Sequence, residues 1–263
     1  MSKNFKTNVI FIGFVLGLWQ LVYWLGIYSD LILPGPVNVL LSMKDAFRQD
    51  DLLGQIIRSI LIVIKGMTLS SLLVMGLLIL SEGSGIFEEI TNRLCTLLHP
   101  LPGIAVLPIF MLWFGIGDKA VLAVLVHATS WPLYINIRAG RGNLPEIYEQ
   151  LARGYKIQTL DKWKHIMLPA MLPFILSGMK TCWARAWRAL ISAEMIFGAI
   201  GDGGGIGWFI FKNRVFMNTD GMFAGLIAVM AIGLTVETLL FDMVERRTLR
   251  KWGGSVVANN HGI

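Results

Sequence analysis

Long apolar runs recur along most of the chain and alternate with short polar segments. A helix needs roughly 20 apolar residues to cross the hydrocarbon core of a bilayer. The runs predict six membrane-spanning helices with limits near 8–28, 56–80, 99–116, 119–137, 166–197 and 222–243. The third run is short and contains Pro100, Pro102 and Pro108, which disfavour regular helix. The pattern therefore predicts an all-α integral membrane fold.

The polar segments between the runs indicate the topology. Basic residues are more frequent in the segments that lie in the cytoplasm if the N-terminus does, so the positive-inside rule places both termini there. Residues 138–165 then form a cytoplasmic loop between the fourth and fifth spans, long enough to hold two short helices. Residues 1–255 form a single domain, and 256–263 read as a flexible tail.

Composition supports a membrane protein and argues against other classes. Of 263 residues, 55% are hydrophobic and 15% are charged, whereas soluble domains carry roughly 25% charged residues. Mean hydropathy is +0.63. The excess of Lys and Arg, 23 against 17 acidic residues, follows from membrane topology, so we expect no nucleic-acid partner. Cys95 and Cys182 match no metal-binding spacing, and we expect no metal site.

Several motifs lie in a fixed order along the chain. The predicted loop carries Glu149, Gln150, Leu151, Ala152, Arg153, Gly154, Tyr155 and Lys156, and the sequence Ile-Met-Leu-Pro follows at 166–169. The third span reads His-Pro-Leu-Pro-Gly from 99 and ends in Trp-Phe-Gly-Ile-Gly-Asp at 113–118. Further motifs are Leu-Pro-Gly-Pro at 33–36, Ala-Glu-Met-Ile at 193–196, Gly-Ile-Gly at 205–207 and Asn-Thr-Asp at 218–220.

This set of motifs resembles the inner-membrane permeases of ABC importers of the nitrate, sulfonate, taurine and bicarbonate type. Those permeases carry Glu-Ala-Ala, three residues, Gly, nine residues, then Ile-x-Leu-Pro. Counting back from Ile166 places the family's glycine at Lys156 and its Glu-Ala-Ala at Gln150, Leu151 and Ala152. The glycine, the glutamate and the first alanine of the family pattern are therefore absent here.

The resemblance implies an assembly and a location. Two permease subunits, here a homodimer, would enclose a pathway in the bacterial inner membrane for a small anionic or zwitterionic solute such as a sulfonate, taurine, nitrate or bicarbonate. Residues 149–156, called the coupling segment below, would dock on an ABC ATPase present in two copies. A binding protein would deliver the solute from outside the cytoplasm. ATP and Mg²⁺ would be bound by the ATPase.

The chain itself is not expected to be an enzyme or to hold a cofactor. It contains no Gly-x4-Gly-Lys-[Ser/Thr] phosphate-binding loop, so ATP hydrolysis is expected in the partner. An ATP-independent secondary transporter is the alternative, but such proteins favour duplicated halves, and no repeat is visible. An intramembrane enzyme would need paired catalytic residues, and only His127, Glu194 and Glu237 are scattered through the spans.

Charged residues inside the fifth predicted span are candidates for the pathway, because an ionised group at membrane depth is costly. Arg185, Arg188 and Ser192 share one helical face at spacing i, i+3 and i+7, and Glu194 follows. Two interpretations stay open at this point. The arginines line the pathway and attract an anion through their guanidinium forks, or they pair with Glu194 or Glu237 inside the bundle.

Overall fold

The computed structural model describes residues 2–197 and 204–251, and this part of the chain is helical with no strand. The predicted tail at 256–263 lies outside the described residues. The helices are α1 Ser2–Trp24, α2 Pro36–Gln49, α3 Leu52–Gly83, α4 Gly85–Leu98, α5 Leu107–Phe114, α6 Asp118–Gly142, α7 Ile147–Gly154, α8 Thr159–Lys162, α9 Leu168–Phe197, α10 Ile206–Val215, α11 Thr219–Thr235 and α12 Phe241–Lys251. A 3-10 turn, Gly103–Val106, precedes α5, and π-helical turns at Trp163–Met167 and Val236–Leu240 precede α9 and α12.

Four stretches are long and apolar enough to cross a membrane, namely Leu52–Gly83, Asp118–Gly142, Trp163–Ile196 and Thr219–Glu245. A fifth candidate is the pair Gly85–Leu98 and Gly103–Phe114, which is bent by 95°. The apolar part of α1, Ile10–Trp24, is shorter than a full crossing. The all-helical, multi-pass class predicted from the sequence is therefore confirmed, while the count of six spans stays a prediction.

The predicted third span, 99–116, is not a single helix. Helix α4 ends at Leu98, and Pro100 and Pro102 follow at once, so the backbone turns before the 3-10 segment and the eight-residue α5 begin. Proline removes a helical N–H donor and clashes with the preceding turn, which explains the break. Helix α4 was not predicted; its apolar positions are interrupted by Glu88, Glu89 and Arg93.

Helix α6 runs further than predicted, so the first residues of the expected loop belong to it. It ends at Gly142 rather than near 137. Two arginines on this extension form ion pairs, Arg138 with Glu88 and Arg141 with Glu82. The rest of the predicted loop holds the two short helices that were expected, α7 and α8.

The chain divides into two compact units. The first comprises the described parts of Met1–Leu61, Ile116–Asp118 and Ile191–Ala231. Inside it, the Trp19 indole donates to the Pro34 carbonyl at 3.0 Å, and its ring is tilted by 35° against that of Phe223 with centroids 5.9 Å apart. The Thr219 hydroxyl donates to the Leu31 carbonyl at 2.7 Å. These bonds attach α1 and α11 to the connection before α2.

The second unit comprises the described parts of Ile62–Gly115, Lys119–Leu190 and Ile232–Ile263. Its helices approach closely at glycines. A Cβ at Gly66 would lie 2.7 Å from the Leu125 side chain, and one at Gly140 would lie 2.7 Å from that of Phe174. Small residues allow such close packing of membrane helices. Polar side chains also join its helices; the hydroxyls of Ser70 and Ser130, for example, lie 2.9 Å apart.

Candidate functional site

Helix α7 carries the first part of the coupling segment and, together with Tyr155 directly after its end, exposes one apolar face. Ile147, Leu151 and Tyr155 follow at intervals of four residues, and their exposed fractions are 51%, 44% and 78%. Residues four apart lie on the same side of a helix. Ala152, on another side of the helix, is only 4% exposed. Gln150, Gly154 and Lys156 are exposed as well.

The end of α7 explains the glycine of the family pattern. Lys156 has a positive φ of 51°, and the Ile157 N–H donates to the Ala152 carbonyl at 2.9 Å. Helices commonly end with a hydrogen bond that spans six residues and with the residue before the donor in the left-handed conformation. Glycine is the residue that most readily adopts this conformation. In the register counted back from Ile166, the glycine of the family pattern would correspond to Lys156 and its second alanine to the buried Ala152.

The two arginines of α9 have no carboxylate partner in the described part of the chain. Arg185 is half-buried and Arg188 is exposed, both in the second unit, and neither forms an ion pair there. Lys180 on the same helix does find a partner, with its Nζ 3.5 Å from the Asp242 carboxylate. Ser192, in the first unit, is exposed. Of the two interpretations left open above, pairing with Glu237 in the same unit is thus not seen among the described residues.

Glu194 has a different role from the arginines. It is 4% exposed and lies in the first unit. Its carboxylate accepts from the Ser59 hydroxyl at 2.8 and 3.1 Å and from the Gly207 N–H at 2.8 Å. The Ser59 oxygen in turn accepts from the Ile206 N–H at 3.0 Å. We call these four residues the α10 cap, because they satisfy the first N–H groups of α10.

Comparison with known proteins identifies the family. Residues 9–250 match the family described as the inner membrane component of binding-protein-dependent transport systems. The chain belongs to this family. The permease is 30% identical over 92% of its length to the putative aliphatic sulfonates transport permease protein SsuC of Bacillus subtilis (strain 168), covering 85% of that protein.

Other relatives of the permease are named for the import of related solutes. The nitrate import permease protein NrtB of Leptolyngbya laminosa is 29% identical over 94% of this chain and 88% of its own. The taurine transport system permease protein TauC of Escherichia coli (strain K12) is 25% identical over 97% and 93%. These relatives are transport permeases and not enzymes. The permease itself has no group of His, Cys, Asp or Glu that could hold a metal within residues 2–197 and 204–251.

The C-terminal end of α10 in the permease is also held by polar side chains. The Asn218 side-chain amide donates from Nδ2 to the Asn213 side-chain oxygen Oδ1 at 2.8 Å, and the Asn218 Oδ1 accepts from the Gly221 N–H at 3.2 Å. Asn213 donates to the Phe209 carbonyl at 2.9 Å. Helix α10 is therefore fixed at both ends inside the first unit, with Ile206, Phe209 and Ile210 buried between them.

Sequence reasoning named Glu194 but not its partner Ser59. The two residues are 135 positions apart, and an isolated serine in an apolar run has many ordinary uses. The Gly-Ile-Gly motif was a usable signal. A Cβ at Gly205 would lie 2.0 Å from the Glu194 carboxylate, so glycine there leaves room for an acidic cap.

Proposed function

We propose that the permease forms the translocation pathway of an ATP-driven ABC importer and that its coupling segment, 149–156, docks on a separate ATPase. The observation that carries this proposal is the exposed apolar face formed by Ile147 and Leu151 of α7 and by Tyr155 directly after it. The segment lies between two membrane-spanning candidates and is too short and too polar to cross the bilayer itself. An amphipathic helix of this kind fits a hydrophobic groove on a partner protein.

The size of the apolar face supports a specific contact. Burying a large apolar side chain stabilises by roughly 1.5–3 kcal/mol when it is fully exposed beforehand. Leu151 and Ile147 are about half exposed, so each contributes about 1 kcal/mol on docking, and Tyr155 contributes more.

The assembly follows from the same proposal. One chain supplies one coupling segment, so two copies of the permease, as a homodimer, engage two ATPase copies. ATP and Mg²⁺ belong to the ATPase. We place the complex in the bacterial inner membrane with six spans per chain and both termini in the cytoplasm, and an extracytoplasmic binding protein delivers the solute.

The relatives support a small anionic or zwitterionic solute, since they are named for sulfonates, nitrate and taurine. Arg185, Arg188 and Ser192 remain the candidates for the pathway. The Glu194 carboxylate already accepts hydrogen bonds from Ser59 and Gly207 in the α10 cap. We therefore propose that Glu194 supports the pathway by holding α10 and does not contact the solute.

The docking proposal is tested by adding a charge to the apolar face. Leu151→Glu places a carboxylate where burial is expected, and we predict that the ATPase no longer copurifies and that ATP-dependent uptake into vesicles is lost. The matched control is Gln150→Glu, which adds the same charge to a flank of α7 that is already polar and exposed.

Two results would overturn the proposal. One is full retention of the ATPase by Leu151→Glu. The other is solute uptake at an undiminished rate in vesicles without ATP, which would establish the secondary-transporter alternative.

A further inference from the structure

Arg141, in the last turn of α6, contacts two other elements of the second unit at once. Its guanidinium forms an ion pair with the Glu82 carboxylate near the end of α3, 59 positions earlier in the chain. The guanidinium carbon also lies 5.8 Å from the centroid of the Trp163 ring. An arginine within about 6 Å of an aromatic ring is attracted to its face. We call these three residues the Arg141 bridge.

Trp163 directly follows residues 147–162, which contain α7 and α8 and which we call the α7–α8 segment. It opens the π-helical turn that leads into α9. Such turns are rare in proteins and frequently lie at functional sites. Movement of the α7–α8 segment reaches α9 along the chain itself. The Arg141 bridge adds a second connection, to α3, which is distant in the sequence.

A second set of contacts ties α6 to α4. One turn before Arg141, Arg138 forms an ion pair with Glu88. One turn earlier again, the Tyr134 hydroxyl donates to the Asn92 side-chain oxygen at 3.0 Å. The three side chains of α6 follow at intervals of four and three residues, so they lie on one side of the helix. The end of α6 is therefore connected to α3, to α4 and to the start of the π-helical turn.

The Arg141 bridge is better suited to positioning than to stabilising the fold. The Arg141 and Glu82 side chains are 40% and 34% exposed, and ion pairs that water can reach add little to stability. Arginine can pair with a carboxylate and stack on an aromatic ring, because its charged group is planar and never deprotonates. Both contacts join separate elements, so they fix the position of Trp163 relative to the end of α3.

We propose that Arg141 is a positioning residue that passes displacement of the α7–α8 segment to α3, through Trp163 on one side and Glu82 on the other. The inference rests on the proposed function, because the displacement originates in an ATPase docked on the coupling segment. It goes beyond that function by assigning the contact through which the movement reaches a helix that the chain does not join directly to the segment.

The test compares movement on the two sides of Arg141 in the permease bound to its ATPase in lipid nanodiscs. A bimane fluorophore is attached at Gln158→Cys, an exposed position between α7 and α8, to give the loop label. Attachment at Gly83→Cys, the last residue of α3, gives the α3 label, and an added Cβ has open space there. The chain's own cysteines are buried. The signal is the change in bimane emission when AMP-PNP and Mg²⁺ replace ADP, so the natural solute is not needed.

We expect both labels to respond when Arg141 is present. Arg141→Gln should retain the response of the loop label and reduce that of the α3 label by about fivefold, as expected for loss of one partly exposed ion pair and one cation–π contact. Arg141→Lys keeps the charge and should recover much of the response of the α3 label. The matched control is Arg93→Gln. Arg93 pairs with Glu89 four residues earlier on α4, so this ion pair stays within one helix and its loss should leave both responses unchanged.

Several results would overturn the inference. They are an α3 label that does not respond with Arg141 present, an undiminished α3 response in Arg141→Gln, and an equal reduction in Arg93→Gln. Equal loss at both labels in Arg141→Gln would do the same, because a merely structural role produces it. A permease that binds no ATPase would remove this inference together with the docking proposal. An α3 response that survives loss of Arg141 in an intact complex would remove this inference alone.

Discussion

The α10 cap should be a major source of stability for the first unit, and a double-mutant cycle on Ser59 and Glu194 measures it. Ser59→Ala removes one hydrogen bond to a carboxylate and leaves the Ile206 N–H without its acceptor. A hydrogen bond to a charged group contributes about 1.5–3 kcal/mol, and a buried unsatisfied group costs about 1–3 kcal/mol. We therefore expect Ser59→Ala to lower the free energy of unfolding by about 2–4 kcal/mol.

Glu194→Ala should cost at least as much, because it deprives both the Gly207 N–H and the Ser59 hydroxyl of their acceptor. The two changes share one bond, so the double variant should be less destabilised than the sum of the single variants. The coupling energy should be about 1.5–3 kcal/mol, the value of the shared charge-assisted bond.

The assay is reversible unfolding of the purified permease in mixed micelles as denaturing detergent is added, followed by tryptophan fluorescence. Ser192→Ala is the matched control: it changes an exposed serine on the same helix and should lie within about 0.5 kcal/mol of wild type. A Ser59→Ala variant as stable as this control, or a coupling energy near zero, would refute the reasoning.

Two further substitutions test local features. Gly207→Ala should lower the free energy of unfolding by about 1–3 kcal/mol, because its Cβ would lie 2.6 Å from the Ile191 carbonyl oxygen; stability equal to wild type in the same detergent titration would contradict this. Lys156→Gly should stabilise the end of α7 by up to about 1 kcal/mol, because glycine adopts the left-handed conformation without the Cβ clash. Hydrogen exchange of the α7 amides should then slow by up to about fivefold. Faster exchange would show that the left-handed conformation of Lys156 does not destabilise the end of α7.

Apolar length and proline positions predicted the membrane helices better than the connections. The stretches 56–80, 119–137 and 222–243 each lie inside a longer observed candidate span, because long apolar runs have few alternatives to helix. The end of α6 was missed because Arg138 and Arg141 looked like loop residues. Their glutamate partners lie 50 and 59 positions away, and nothing in the local sequence reveals them.

The candidate site was predicted only where it depends on local sequence pattern and not on contacts between distant residues. The short helices of the loop follow from local pattern, and so does the shared face of Arg185 and Arg188. The function of Glu194 does not, since it depends on Ser59 and on the start of α10, which only the folded chain brings together.

The most direct test of the coupling claim is the accessibility of α7 before and after the ATPase binds. Tyr155→Cys places a thiol at the most exposed position of the apolar face, and Lys164→Cys places one at an exposed position outside α7. In the assembled complex, labelling of the cysteine at 155 by a water-soluble maleimide should slow by at least about tenfold, as expected for a desolvated contact, while that at 164 changes little. Undiminished labelling at 155 in a complex that retains its ATPase would contradict the account.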